Sequence, residues 1–127
     1  MIPKFRAWHK TWEEMGKVKR IRFDGEGNVT TVLFEGKILG VNTHTDEIEF
    51  MQSTGLKDKN GKEIFEGDIV KMATDVYSKL TYYEVVRHRG GAYRLESKQH
   101  GCELWLRHAD CEVVGNVYEN PELLEVE

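Results

Sequence analysis

The sequence predicts a mostly β protein, with an N-terminal β-hairpin lobe over residues 1–53, a small SH3-like or OB-like β-barrel over residues 54–127, and few short helices. Three observations predict it. Apolar residues recur at period two in short runs, the pattern of half-buried strands. The runs are separated by Gly, Asn and Asp, the residues of tight turns. The second half divides into five such runs within about fifty residues, as a small closed barrel requires.

From the N-terminus, Lys4 to Trp8 places Phe5 and Ala7 on one face of a strand and Arg6 and Trp8 on the other. Met15 to Phe23 continues the alternation: Met15, Ile21 and Phe23 share parity, with Lys17 and Lys19 between them. Asp24-Gly25-Glu26-Gly27-Asn28 interrupts, and Val29 to Phe34 resumes as β, so the two runs form a hairpin. Glu35-Gly36 and Gly40 cut further short strands, and Glu47 to Gln52 alternates with Ile48 and Phe50 inward. Nothing in this half has the period of a helix.

The stretch Thr54 to Val70 joins two turns. Asn60-Gly61 supplies the two residue types that a two-residue type I′ hairpin turn requires at its central, positive-φ positions. Lys57, Asp58, Lys59 and Lys62 solvate the tip, Ile64 returns to the core, and Gly67 turns the chain into Asp68-Ile69-Val70. The five strands expected of the barrel are Asp68 to Met72, Thr81 to Arg87, Ala92 to Glu96, Cys102 to Arg107 and Glu112 to Tyr118, with Gly90-Gly91 as a turn. Met72 to Lys79 has room for one helical turn, although Thr74, Val76 and Tyr77 oppose it. Pro121-Glu122-Leu123-Leu124 predicts a last short helix with proline in its first turn.

The middle block, with Met51-Gln52-Ser53 before it, the closing run Val114 to Leu124, and the opening Lys4-Phe5-Arg6-Ala7-Trp8 followed by Met15 together resemble the YopX family of phage and prophage proteins. The three blocks span nearly the whole chain. His9 departs from the pattern, since family members often carry an acidic residue after the tryptophan, and no role is carried to it. The resemblance implies a β-rich fold, homo-oligomers and a phage or prophage origin. It implies no activity and no catalytic or binding residues.

Composition narrows the function classes. A chain of 127 residues with 39% hydrophobic content fits one domain and a modest core that needs no metal or disulfide. A net charge of -4 argues against a dominant grip on nucleic acid through a generally basic surface, but leaves room for a local patch. Two cysteines are too few for a secreted disulfide framework, the N-terminus lacks a signal peptide's apolar core, and no apolar run suits a membrane span. The cytoplasm of a bacterial host is the expected compartment.

Four groups could carry chemistry or binding. His100, Cys102, His108 and Cys111 have the side chains for zinc, but not the paired tight-turn spacing of a ribbon. No metal or other cofactor is expected. No pair of carboxylates is set apart by an apolar environment, and neither a dinucleotide loop nor a phosphate loop occurs. A catalytic role is therefore disfavoured. Lys17, Lys19, Arg20 and Arg22, with the later Arg87, Arg89 and Arg94, are the nucleic-acid candidates, and Trp12, Phe23, Tyr82, Tyr83 and Tyr93 lie near them in sequence. Trp8, Trp105 and Arg107 are the candidates for a protein contact, because a large aromatic among polar strand residues is typical of an interface. The sequence thus favours a noncatalytic interaction module that self-associates or meets a host or phage protein. A nucleic-acid-binding barrel is the alternative.

Overall fold

A computed structural model describes residues 4–35, 41–44, 47–73, 79–88, 91–98 and 101–125, with backbone alone over 41–44. The chain divides into two compact units, Met1–Gln52 and Ser53–Glu127.

The first unit holds strands β1 (Phe5–His9), β2 (Glu14–Phe23), β3 (Val29–Glu35), β4 (Val41–His44) and the first half of β5 (Ile48–Lys57). They pair antiparallel in the order β4-β3-β2-β1-β5. Ala7, Val32, Phe34 and Ile48 form its core, with Val18, Ile21, Val29 and Phe50 packed against them. Ala7 lies opposite Gly16. A Cβ at Gly16 would sit 2.6 Å from the Phe34 ring, so the two small residues make the bed on which that ring lies.

In the second unit, the rest of β5 pairs with β6 (Glu63–Phe65). The main sheet has β7 (Asp68–Met72), β8 (Thr81–Arg87), β9 (Tyr93–Glu96), β10 (Gly101–Glu103) and β11 (Glu112–Asn116) in the order β10-β9-β8-β7-β11. Helix α1 (Leu104–Arg107) and a 3-10 turn, His108–Asp110, carry the chain from β10 to β11. The core comprises Ile64, Val70, Met72, Tyr83, Val85, Leu95, Leu104 and Cys111. The closing 3-10 helix Pro121–Glu125 begins at the proline, as the sequence predicts. The turn before it is knotted around Asn116. Its side-chain carbonyl accepts from the N–H groups of Tyr118 and Glu119 at 3.0 and 2.9 Å, and its own N–H donates to Asn120 Oδ1 at 3.3 Å. Gly115 leaves the room, since a Cβ there would lie 2.5 Å from Asn120 Oδ1.

Four expectations differ from the described structure. Two antiparallel, mostly β sheets are present as predicted, but among the described residues no pairing of β10 with β11 closes the second sheet into a barrel. The strand expected over Cys102 to Arg107 ends at Glu103 and becomes one turn of helix. A strand would have put Leu104 and Leu106 on the same face; the helical turn instead buries Leu104 completely and leaves Leu106 59% exposed. Leu and Arg are good helix formers, and the Arg107 guanidinium ties the turn to the sheet by donating to Ala73 O at 3.0 Å.

The third concerns β2. Met15, opposite Trp8, lies on the face away from Ile21, because the pairing slips between Val18 and Arg20; Phe23 keeps the face of Ile21, opposite Val29, but is 61% exposed at the end of the strand. The fourth concerns Asn60-Gly61. Gly61 has φ of +81°, but Asn60 is not among the positive-φ residues, so this is not a type I′ turn. Asp58 O accepts from Gly61 N–H at 3.0 Å and Asp58 N–H donates to Lys62 O at 2.9 Å, the closure of a three-residue loop with a glycine bulge. Type I geometry needs positive φ at the glycine only. The possible helical turn between Met72 and Lys79 falls largely on residues 74–78, outside the described residues.

The same closure occurs three times. Asp24-Gly27-Asn28 and His88-Gly91-Ala92 repeat it, with Gly27 and Gly91 at φ of +87° and +88°. At Asp24 and Asp58, though not at His88, a carboxylate oxygen also accepts from the second and fourth residues on, an Asx turn built into the hairpin.

Candidate interaction surfaces

Of the candidates for zinc and for nucleophilic chemistry, Cys111 lies in the core of the second unit and Cys102 packs against it. Cys111 is fully buried and its thiol donates to His108 O at 3.2 Å. Burial, with Asp58 nearby, pushes that thiol up to about 11, so it stays neutral. Burial also raises Cys102 and Tyr83 above their ordinary values. His108 donates from Nδ1 to Lys57 O at 2.8 Å, a backbone tie. His100 lies outside the described residues. Among the described residues, no three His, Cys, Asp or Glu side chains gather as metal ligands.

The later basic group is divided. Arg94 is committed to Glu103 at 2.6 Å and to Glu96 at 3.5 Å, and Glu96 in turn meets His88 at 2.8 Å. Its neighbours hold Glu96 below the usual carboxylate range, His88 most of all. By register Arg94 shares a face with Val86, whereas Arg87 shares one with Tyr93, which packs on the core. Arg87 is exposed; Arg89 lies outside the described residues.

The earlier basic group is gathered. In a regular strand, Lys17 and Lys19 would face one way and Arg20 and Arg22 the other. The slip between Val18 and Arg20 reverses the parity, so that Val18 and Ile21, three apart, both pack on the core. Arg20 pairs with Leu33, Arg22 with Thr31 and Lys17 with Glu35, all on the face away from the core residues Val32 and Phe34. Lys19 reaches Glu35 at 3.4 Å. Lys17, Arg20 and Arg22 are exposed, with no ion-pair partner among the described residues.

Aromatic and apolar exposure marks another surface. Trp105 and Leu106, adjacent on α1, are 64% and 59% exposed, above a fully buried Leu104. Arg107 holds the turn from both sides: Nε donates to Asp110 at 3.0 Å while Nη2 caps Ala73 O. Leu80, 61% exposed, precedes Thr81, and Thr81 pairs with Met72 just before Ala73. Leu80 therefore lies at the sheet end that Arg107 grips. Sequence reasoning selected Trp105 and Arg107 but missed Leu80 and Leu106, the latter because strand parity placed it inside.

In the first unit, Trp8 is half-buried on β1, opposite Met15 and Glu49. Trp12 serves the fold. Its ring stacks on His9 at 3.8 Å between centroids, and the backbone N–H of Trp12 donates to His9 Nδ1 at 3.2 Å. The proton of fully buried His9 therefore sits on Nε2, 3.5 Å from Glu47. The departure noted at position 9 is thus a packed core histidine.

Two antiparallel β units, one with both cysteines in or against its core, each with basic or apolar side chains exposed, define the class of protein as mostly β. The chain belongs to the YopX protein family, whose model matches residues 4–125. It is 24% identical over 131 residues to the SPbeta prophage-derived uncharacterized protein YopX of Bacillus subtilis (strain 168), covering 95% of each chain. The crystal structure of protein EF1440 from Enterococcus faecalis is similar with a TM-score of 0.71 at 32% identity, over 98% of this chain and 99% of that one. That of YopX from Bacillus subtilis gives 0.64 at 24%, over 95% and 97%. No described helix is long and apolar enough to cross a membrane.

Proposed function

We propose that this chain is a noncatalytic interaction module of a phage or prophage, working in the cytoplasm of its bacterial host and self-associating through the Trp105 face. The observation that carries the reading is the pair Trp105 and Leu106, exposed side by side on a helical turn that Arg107 clamps to the sheet. Large apolar side chains on a rigid support lose little entropy on docking and are the usual anchors of an interface. The ion pair of Arg107 and Asp110 beside them offers both charges, which suits a two-fold contact between identical copies. A host or phage protein is the other occupant of that face. The neutral thiols and the ion-paired Arg94 and Arg107 support a noncatalytic reading. An SH3-like barrel is supported by the order β10-β9-β8-β7-β11, in which the last strand returns to the first after a helical turn.

Light scattering across a concentration series tests the reading. The expected result is a mass above one chain that falls to one chain in the double variant Trp105→Ala, Leu106→Ser. A single-chain mass at every concentration overturns self-association.

A second reading, a nucleic-acid-binding protein, is favoured by one observation: the slip in β2 turns four basic side chains onto one face.

A further inference from the structure

We infer that the face of β2 carrying Lys17, Lys19, Arg20 and Arg22 is a binding track for the phosphate backbone of single-stranded nucleic acid. The inference rests on the second reading above and names its site and ligand. It begins from where the charge lies. Residues 1–52 hold eight basic and eight acidic side chains, and residues 53–127 hold ten and fourteen, so the whole net charge of -4 belongs to the second unit. The acidity of the chain is no argument against a positive face on the first.

That face is segregated. Lys17, Arg20 and Arg22 are directed away from the core, and Arg6 pairs with Lys17 on β1. Among the described residues of β1, β2 and β3, Glu35 is the acid that register places on this face, and it engages Lys19. Three mutually repelling cations are thereby left together without compensation, which costs folding energy and is characteristic of an anion site. A bulge that brings them together adds to that cost, and bulges commonly re-aim side chains for use.

The spacing selects the ligand. Along a strand, alternate residues lie about 6.6 Å apart, so the stripe from 17 to 22 is a line of charges roughly 16 Å long. A linear polyanion matches a line; a single phosphate or carboxylate does not. Phe23 follows Arg22 at the end of β2; register sets it opposite Val29, on the other face, but at 61% exposure it lets a strand that rounds the end of β2 from Arg22 lay an unpaired base on its ring. Stacked bases beside a positive track are how sequence-tolerant single-strand binders work. A duplex has its bases already stacked and would leave Phe23 unused.

The test is fluorescence anisotropy of the full chain with a labelled single-stranded oligonucleotide, a duplex and polyglutamate as probes. Four cations on a single strand predict binding that weakens about fiftyfold between roughly 50 and 200 mM salt. The variant Lys17→Ser, Arg20→Ser, Arg22→Ser should bind at least tenfold more weakly at about 50 mM salt and lower the salt slope by about 2. Phe23→Ala should weaken single-strand binding roughly fivefold or more and leave duplex binding unchanged. An unchanged thermal melt of each variant checks that the fold is kept. Oligonucleotide binding by the wild type that the triple variant retains in full overturns this site while the nucleic-acid reading stands. No binding by the wild type at about 50 mM salt overturns both. Polyglutamate as tight a ligand as the oligonucleotide shows a site for charge alone and overturns the ligand class.

Discussion

The hairpin turns at Asp24 and Asp58 share one backbone, yet they stand at opposite ends of the molecule's range of constraint. In each, the carboxylate accepts from the second and fourth N–H groups on, and glycine takes the positive φ. Asp24 is exposed and its turn points into water. Asp58 is 6% exposed, and its second oxygen reaches out of the turn to Val113 N–H at 2.9 Å. Lys59 N–H donates to Cys111 O at 2.9 Å, and His108 caps Lys57 O. One turn is a free tip; the other is a clasp that fastens the hairpin to the start of β11. A local sequence motif thus specifies the turn, while tertiary partners decide what it is worth.

The largest expected effect breaks the clasp. Asp58→Ala strands three N–H groups, one of them on β11, and should cost about 3 kcal/mol, read as a lowered midpoint in urea. Asp24→Ala should move that midpoint far less. Equal shifts from the two variants would sink the distinction. The pH dependence has a definite sign. Burial pushes Asp58 up, but the N–H groups of Val113, Lys62 and Asn60 outweigh it, so the carboxyl ends below its ordinary value. A depressed folded value means that the stabilisation is complete above the unfolded value, about 3.9, and is lost as pH falls through the folded one. The difference between wild type and Asp58→Asn should therefore be constant near neutral pH and shrink only in acid.

How much of this was legible follows the same division. Asn60-Gly61 announced a hairpin, and period two placed Ala7, Ile48 and Phe50 inside; both are local signals. The type of the turn was misread, because the dipeptide suits two geometries and the Asx bonds of Asp58 decide between them. Parity fails in β2 at the slip between Val18 and Arg20, and it fails again at Leu104, where strand becomes helix. Those failures matter most for the candidate sites. The basic stripe exists because of a slip, and the exposure of Leu106 exists because of a helical turn. One clue was available for the first: Val18 and Ile21, apolar and three apart, cannot share a face in a regular strand. Nothing local predicted the reach of Asp58 to Val113, which crosses 55 positions.

Glycine substitutions sharpen the comparison by removing what the turns have in common. Neither Gly27 nor Gly61 would bring a Cβ within 4 Å of any other atom, so Ala at either position pays for the positive φ alone. Each should cost about 1 kcal/mol, nearly the same in both turns. A Gly61→Ala penalty several times that of Gly27→Ala would mean that the clasp also constrains the backbone of the turn, moving the difference from the carboxylate to the chain.

The smallest effect asks whether buried carboxylates owe their stability to their partners or tolerate burial by themselves. Glu84 supplies the contrast to Asp58. It is half-buried on β8 with Glu96 directly across on β9, and burial first, then that like charge, raise its carboxyl above the ordinary value. A raised folded value in an acid reverses the sign: the ionised form is the disfavoured one, so the penalty is present above the folded value and disappears as pH falls below the unfolded one. Glu84→Gln should accordingly stabilise the protein at neutral pH by about 0.5 kcal/mol, the scale of a like-charged cross-strand pair, and have no effect in acid. Thermal melts of the two proteins across pH measure it. A destabilised Gln variant at neutral pH would show that Glu84 is held as Asp58 is, through bonds to its charge, and would remove the contrast.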